Sequence, residues 1–89
     1  MTHAHLIISG RVQGVSFRYR AQAHAVRLGV RGWVRNLKDG TVEMEVEADS
    51  VHLDQFIDWC RRGPLFASVD EVTVTHGPVC GFESFEIVR

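Results

Sequence analysis

Between Ile8 and Arg18 the chain reads ISGRVQGVSFR, a stretch in which two glycines precede an arginine. An apolar run, A-H-L-I-I, leads into it, and residues with helical spacing follow from Arg18 to Leu28. A loop between a strand and a helix is a place where anions bind, because the first N–H groups of a helix lack backbone partners and the helix dipole points its positive end there. Gly10 and Gly14 let the backbone turn tightly and approach a ligand. Arg18 offers a planar fork of donors matched to two phosphate oxygens at once. Glycines alone would serve a turn equally well, so the arginine is what gives the loop its chemical character.

Two comparisons narrow that chemistry. A nucleotide-binding loop of the G-x-x-x-x-G-K-S/T type needs a lysine and a hydroxyl residue after its second glycine, and both are missing here. In cysteine-dependent phosphatases a cysteine, five loop residues and an arginine surround a phosphate; Val12 stands at the cysteine position of such a cradle. The cradle is kept and the covalent nucleophile is absent.

The rest of the chain supplies elements that can hold this loop. Alternation predicts a first strand over Ala4–Arg11, with Ala4, Leu6 and Ile8 on one face and His5, Ile7 and Ser9 on the other. Phe17, Ala21, Ala25 and Leu28 make the apolar stripe of a first helix, stopped by Gly29. A hairpin follows, Val30–Asn36 and Thr41–Ala48, turning at Asp39-Gly40. Its second strand alternates Val42, Met44, Val46 and Ala48 with Glu43, Glu45 and Glu47, which predicts one apolar face and one face in water. Asp49 or Ser50 can cap a second helix in which Leu53, Phe56, Ile57 and Cys60 share a face, and Gly63-Pro64 ends it. Ser68–His76 reads as a strand, and Phe85 with Ile87 as a short final one. The order β-α-β-β-α-β with a small addition predicts an α+β fold, a ferredoxin-like split βαβ sandwich: an antiparallel sheet carrying two helices on one face. The first strand then lies inside the sheet, and Asn36 comes to the same edge as the glycine loop.

Composition bounds the possibilities. The 89 residues predict one domain, able to bury roughly 60% of its unfolded surface without staples. A formal net charge of −1 does not favour nucleic acid, and Glu43, Glu45 and Glu47 on the open sheet face would repel it. No apolar run approaches the roughly 20 residues that span a bilayer, and MTHAH lacks the features of a signal peptide, so a cytoplasmic address is expected. Cys60 and Cys80 have neither redox nor zinc-finger spacing; free thiols are the expectation, with their pairing left open. His3 and His5 alternate on the outer face of a strand and offer too few neighbours for a metal site. His24, His52 and His76 have no nucleophile or carboxylate beside them that would make a catalytic pair, and read as surface or packing residues.

Taken together, ISGRVQGVSFR and GWVRNLKDGTV, Gly32–Val42, resemble the two signatures of the acylphosphatase family. GPLFASV from Gly63 and the ending FEIV from Phe85 are similar to it as well, so the resemblance spans nearly the whole chain. One departure is Ala48, where the second signature usually ends in glycine. The resemblance implies hydrolysis of acyl phosphates to a carboxylate and inorganic phosphate, without metal or organic cofactor, with phosphate as product and competitive inhibitor; the size and mixed surface predict a monomer. It implies phosphate binding by Gln13, Gly14, Val15, Ser16, Phe17 and Arg18, with Arg18 and Asn36 catalytic. Asn36 has no basic lone pair, so its amide should orient the attacking water. The alternative on the same fold is a non-catalytic phosphate-binding or interaction module.

Overall fold

The computed structural model describes residues 1–89. Its elements run β1 (Thr2–Arg11), α1 (Phe17–Leu28), β2 (Arg31–Asn36), β3 (Val42–Ala48), α2 (Ser50–Arg62), β4 (Ser68–Gly77) and β5 (Phe85–Ile87). The strands form one sheet in the order β4-β1-β3-β2-β5. The pairs β4-β1, β1-β3 and β3-β2 are antiparallel, as expected, whereas β5 joins β2 in parallel, so the sheet is mixed. A three-residue strand arriving after a long return from β4 is free to pair in either direction, and alternation in the sequence carries no information about which.

Each element follows from its residues. Ala4, Leu6 and Ile8 of β1 and Val42, Met44 and Val46 of β3 are fully buried on the face that receives the helices. Helix α1 contributes Phe17, Ala21 and Ala25, the two alanines leaving its backbone close to the sheet. Helix α2 contributes Leu53, Phe56, Ile57, Trp59 and Cys60, and its Asp49 cap accepts a hydrogen bond from the His52 N–H at 3.0 Å. Ala48, at the place of the usual glycine, is buried at the end of β3 opposite Thr2. Cys60 is buried and Cys80 exposed, and both are free thiols.

The outer face of the sheet departs from the expectation of a face simply in water. His3 is 5% exposed and Glu47 only 2%, because residues 78–84 fold back across that end of the sheet. The backbone N–H groups of Cys80, Gly81 and Phe82 all donate to the Glu47 carboxylate, and the Phe82 ring stacks on His3 with centroids 6.0 Å apart. His3 donates from Nδ1 to Glu47 and from Nε2 to Glu45, each at 2.6 Å. Further along, His5 meets Glu43 at 2.7 Å, and Arg35 meets the other oxygen of Glu43 at 2.6 Å. The strand alternation is therefore correct, but the glutamates are neutralised rather than solvated. The Sγ of Cys80 also comes near His3 and Glu47. Both ring nitrogens of His3 already face carboxylates, an arrangement that favours the doubly protonated ring.

Burial pushes the Glu47 carboxyl up, yet the donors from Cys80, His3, Phe82 and Gly81 outweigh it and hold the group at about 2. For His3 burial favours the neutral ring, and its hydrogen bonds to Glu47 and Glu45 overcome this and raise its pKa above the ordinary 6.5. A depressed carboxyl stabilises the fold above its unfolded value of 4.5 and loses that contribution as pH falls toward about 2. A raised histidine stabilises below 6.5 and loses that contribution as pH climbs through its folded value. The gap in melting temperature between the parent and Glu47→Gln is thus expected to be widest between pH 4.5 and 6.5 and to narrow on both sides. Thermal melts across pH check this, and a gap that does not change with pH contradicts it.

Candidate active site

Strands β1 and β2 both lie against β3 and both run antiparallel to it, so they are parallel to each other and end at the same edge of the sheet. Register makes the placement specific: Ile8 faces Val42, and Val42 faces Asn36. The loop that leaves β1 and the asparagine that ends β2 are thereby brought together. They line a hollow of about 270 Å³ formed by Val12, Gln13, Gly14, Ser16, Phe17, Arg18, Tyr19 and Asn36.

The loop is shaped by two kinds of backbone constraint. At Gly10, φ is +117°, the β1-β4 register shifts, and an added Cβ would fall 2.1 Å from the Ser68 carbonyl oxygen, so only glycine lets β4 lie this close. Gly14 and Ser16 both adopt positive φ, +75° and +62°, which curls the chain into the start of α1. Ser16 occupies the cap position of that helix without giving it a side-chain hydrogen bond. The first backbone bond of the helix is from the Arg20 N–H to the Ser16 carbonyl; none of the N–H groups from Gln13 to Tyr19 donates to an acceptor in the chain. A row of unpaired N–H groups curled around a concavity is an anion-binding nest.

The side chains around the hollow fit the same chemistry. Arg18 is engaged by no carboxylate, although the other face of the sheet holds several. Val12, buried to 1% exposure, closes the floor where a cysteine nucleophile would stand. The Oδ1 of Asn36 is buried without any hydrogen-bond partner. An unmade bond of this kind costs about 1–3 kcal/mol, which makes the oxygen a ready acceptor for an O–H in the hollow. No histidine, carboxylate or thiol lines the hollow, so it contains neither a general base nor a set of metal ligands.

Of the residues expected at the phosphate, Gln13, Gly14, Ser16, Phe17 and Arg18 line the hollow together with Asn36. Val15 does not; its side chain is half-buried against the core. Phe17 is 1% exposed and packs on Trp59 with centroids 5.4 Å apart, so only its backbone N–H is suited to an anion. Gln13 uses its side-chain amide for the protein, donating to the carbonyl oxygens of Leu37 and Thr41 at 2.8 Å each. Tyr19, 56% exposed, joins the lining without having been expected there; its position one residue after Arg18, on the first turn of α1, was the available signal.

Two helices on one face of a split βαβ sheet, with a strand-to-helix loop of unpaired N–H groups at its edge, define a small α+β protein whose hollow suits an anion. A sequence profile of the acylphosphatase family matches residues 4–87. A protein named acylphosphatase from Anaeromyxobacter sp. strain Fw109-5 is 49% identical over 91% of this chain and 87% of its own length. One from Thermococcus kodakarensis is 48% identical over 96% and 93%, respectively. The crystal structure of acylphosphatase from Bacillus subtilis superposes with a TM-score of 0.97 at 37% identity, covering all of both chains. The chain belongs to the acylphosphatase family, a family of enzymes that hydrolyse acyl phosphates.

The two glycines are expected to separate on mutation. At Gly14 nothing lies within 4 Å of an added Cβ, so Gly14→Ala should cost only the left-handed backbone, about 1–2 kcal/mol. Gly10→Ala adds a clash with the backbone of β4 and should cost more; urea unfolding of both variants checks the order.

Proposed function

We propose that this enzyme hydrolyses acyl phosphates by direct attack of one water on phosphorus, with Arg18 and the loop N–H groups holding the phosphoryl oxygens and Asn36 orienting the water. What carries the proposal is the meeting, in one hollow, of unpaired loop N–H groups, an unengaged Arg18 and the unpartnered Oδ1 of Asn36. Phosphoryl transfer spreads negative charge over the equatorial oxygens while the attacking and leaving oxygens stand in line. Donors fixed in advance around those oxygens stabilise that charge without reorganising at the moment of reaction. The new bond joins the water oxygen to phosphorus, the bond from phosphorus to the acyl oxygen breaks, and the carboxylate departs with its electron pair.

The water's proton needs an acceptor, and the lining side chains supply none. A phosphoryl oxygen of the substrate takes it, which suffices because a carboxylate is a good leaving group. Asn36 then accepts one O–H of the water at Oδ1, fixing a lone pair toward phosphorus. Inorganic phosphate, which fits the same nest, acts as product and competitive inhibitor. All the groups in this scheme come from one chain, in keeping with a single domain over residues 1–89 that works as a monomer. An exposed free Cys80 suits the reducing cytoplasm. No helix is long and apolar enough to cross a membrane.

Hydrolysis of an aromatic acyl phosphate in chelator-containing buffer tests the scheme. Arg18→Gln is expected to lower turnover by about 10³-fold or more and to weaken phosphate inhibition with it. Asn36→Ala is expected to lower kcat by about 10²-fold while phosphate inhibition stays near the parental value. Saturable phosphate binding without turnover in the parent would instead mark an anion-binding module. A protein pKa near neutrality in the rate profile, removed by mutating one His, Asp or Glu, would replace the substrate as proton acceptor.

A further inference from the structure

We propose that Gln13 is a positioning residue for the hydrolytic step: its side-chain amide braces the β2-β3 turn against the phosphate loop and so sets where Asn36 holds the water. The inference rests on the role of Asn36 proposed above. Gln13 sits at the start of the loop, on the strand-to-helix connection, whereas Asn36 begins the turn Leu37–Gly40 that leads to Thr41. The two segments are separate in sequence and meet only at this edge of the sheet. The bonds from Gln13 Nε2 to Leu37 O and Thr41 O, 2.8 Å each, are the only hydrogen bonds that join residues 12–16 to residues 36–41.

The chemistry of the brace is specific. The neck of the turn is already closed on itself, with the Leu37 N–H donating to Thr41 O at 2.9 Å and the Gly40 N–H to Leu37 O at 3.2 Å. Each carbonyl therefore has one lone-pair direction left, and both converge on a single nitrogen. A planar NH₂ group carries two protons in fixed directions, so it alone among the uncharged groups of side chains can serve two such oxygens. Two acceptors also fix which end of the amide faces the turn. Because Leu37 follows Asn36 directly, a shift of the neck moves Asn36 relative to the nest. A displacement near 1 Å can cost about 10²-fold in rate, while phosphate, held by the loop itself, would be bound as before.

The test compares Gln13→Met, which keeps length and loses both donors, and Gln13→Asn, which keeps the amide one methylene short, in the parent and in Asn36→Ala. Both changes in the parent are expected to lower kcat by about 10- to 100-fold, with the inhibition constant of inorganic phosphate kept within about twofold. In Asn36→Ala the same changes should lower kcat by less than about twofold further, because the group they position is gone. An equal loss in both backgrounds overturns the proposal, as does weakened phosphate inhibition with kcat intact, which would make Gln13 a direct ligand. Loss of cooperative melting in both Gln13 variants also overturns it, by assigning the brace to the fold. Parental kcat in Asn36→Ala would remove the role of Asn36 itself, and that result is read before any Gln13 variant is compared.

Discussion

Strand pairing around β3 is the constraint on which the rest of the molecule depends. A strand flanked on both sides by antiparallel partners forces those partners to run the same way, and β1 and β2 consequently deliver their last residues to one edge. Residues that do chemistry can then be placed by register rather than by loop conformation. Ile8, Val42 and Asn36 occupy one row across the sheet, and the buried apolar face fixes that row, since a slip by one residue would turn Leu6, Met44 and Val34 outward. The core thus determines the spacing of the site.

Opposite the helices, the same pairing sets up a second system of contacts. His3 and His5 of β1 lie across from glutamates of β3, and Arg35 of β2 from another, so that carboxylates on the middle strand are answered from both neighbours. Glu47 is the extreme case, removed from water and surrounded by backbone donors of residues 80–82. A buried carboxylate with all its lone pairs used ties the chain segment after β4 to the sheet before β5 completes it. That segment must cross from one edge strand to the other, and Glu47 anchors it on the way.

Much of this was legible in the residues. The glycine loop, the hairpin with Asp39-Gly40 and the apolar faces of both helices follow from spacing alone, and Arg18 and Asn36, one from each long motif, line the same hollow. What was not legible shares a physical cause: it arises between segments far apart in sequence. The burial of His3 and Glu47 depends on where residues 78–84 cross the sheet. The parallel pairing of β5 depends on which edge that segment reaches. The use of Gln13 for the hairpin neck, and the exclusion of Val15 from the lining, depend on a loop curled by Gly14 and Ser16. A motif identifies its members; it does not say which of them faces the ligand.

The unpaired arginine at the start of α1 has its own consequence. Helix α1 carries Arg18, Arg20 and Arg27 with no acidic residue, while Glu43, Glu45 and Glu47 lie on the opposite face of the sheet. Those glutamates are answered by His3, His5 and Arg35, whereas Arg18 has no carboxylate partner, so positive charge is left at the N-terminal end of α1 on a chain whose net charge is −1. A local positive field of that kind would raise the rate at which a doubly charged acyl phosphate meets that end. Because ions in solution screen such a field within about 8–10 Å at physiological strength, the rate of capture, unlike the chemistry that follows, is governed by the salt around the protein.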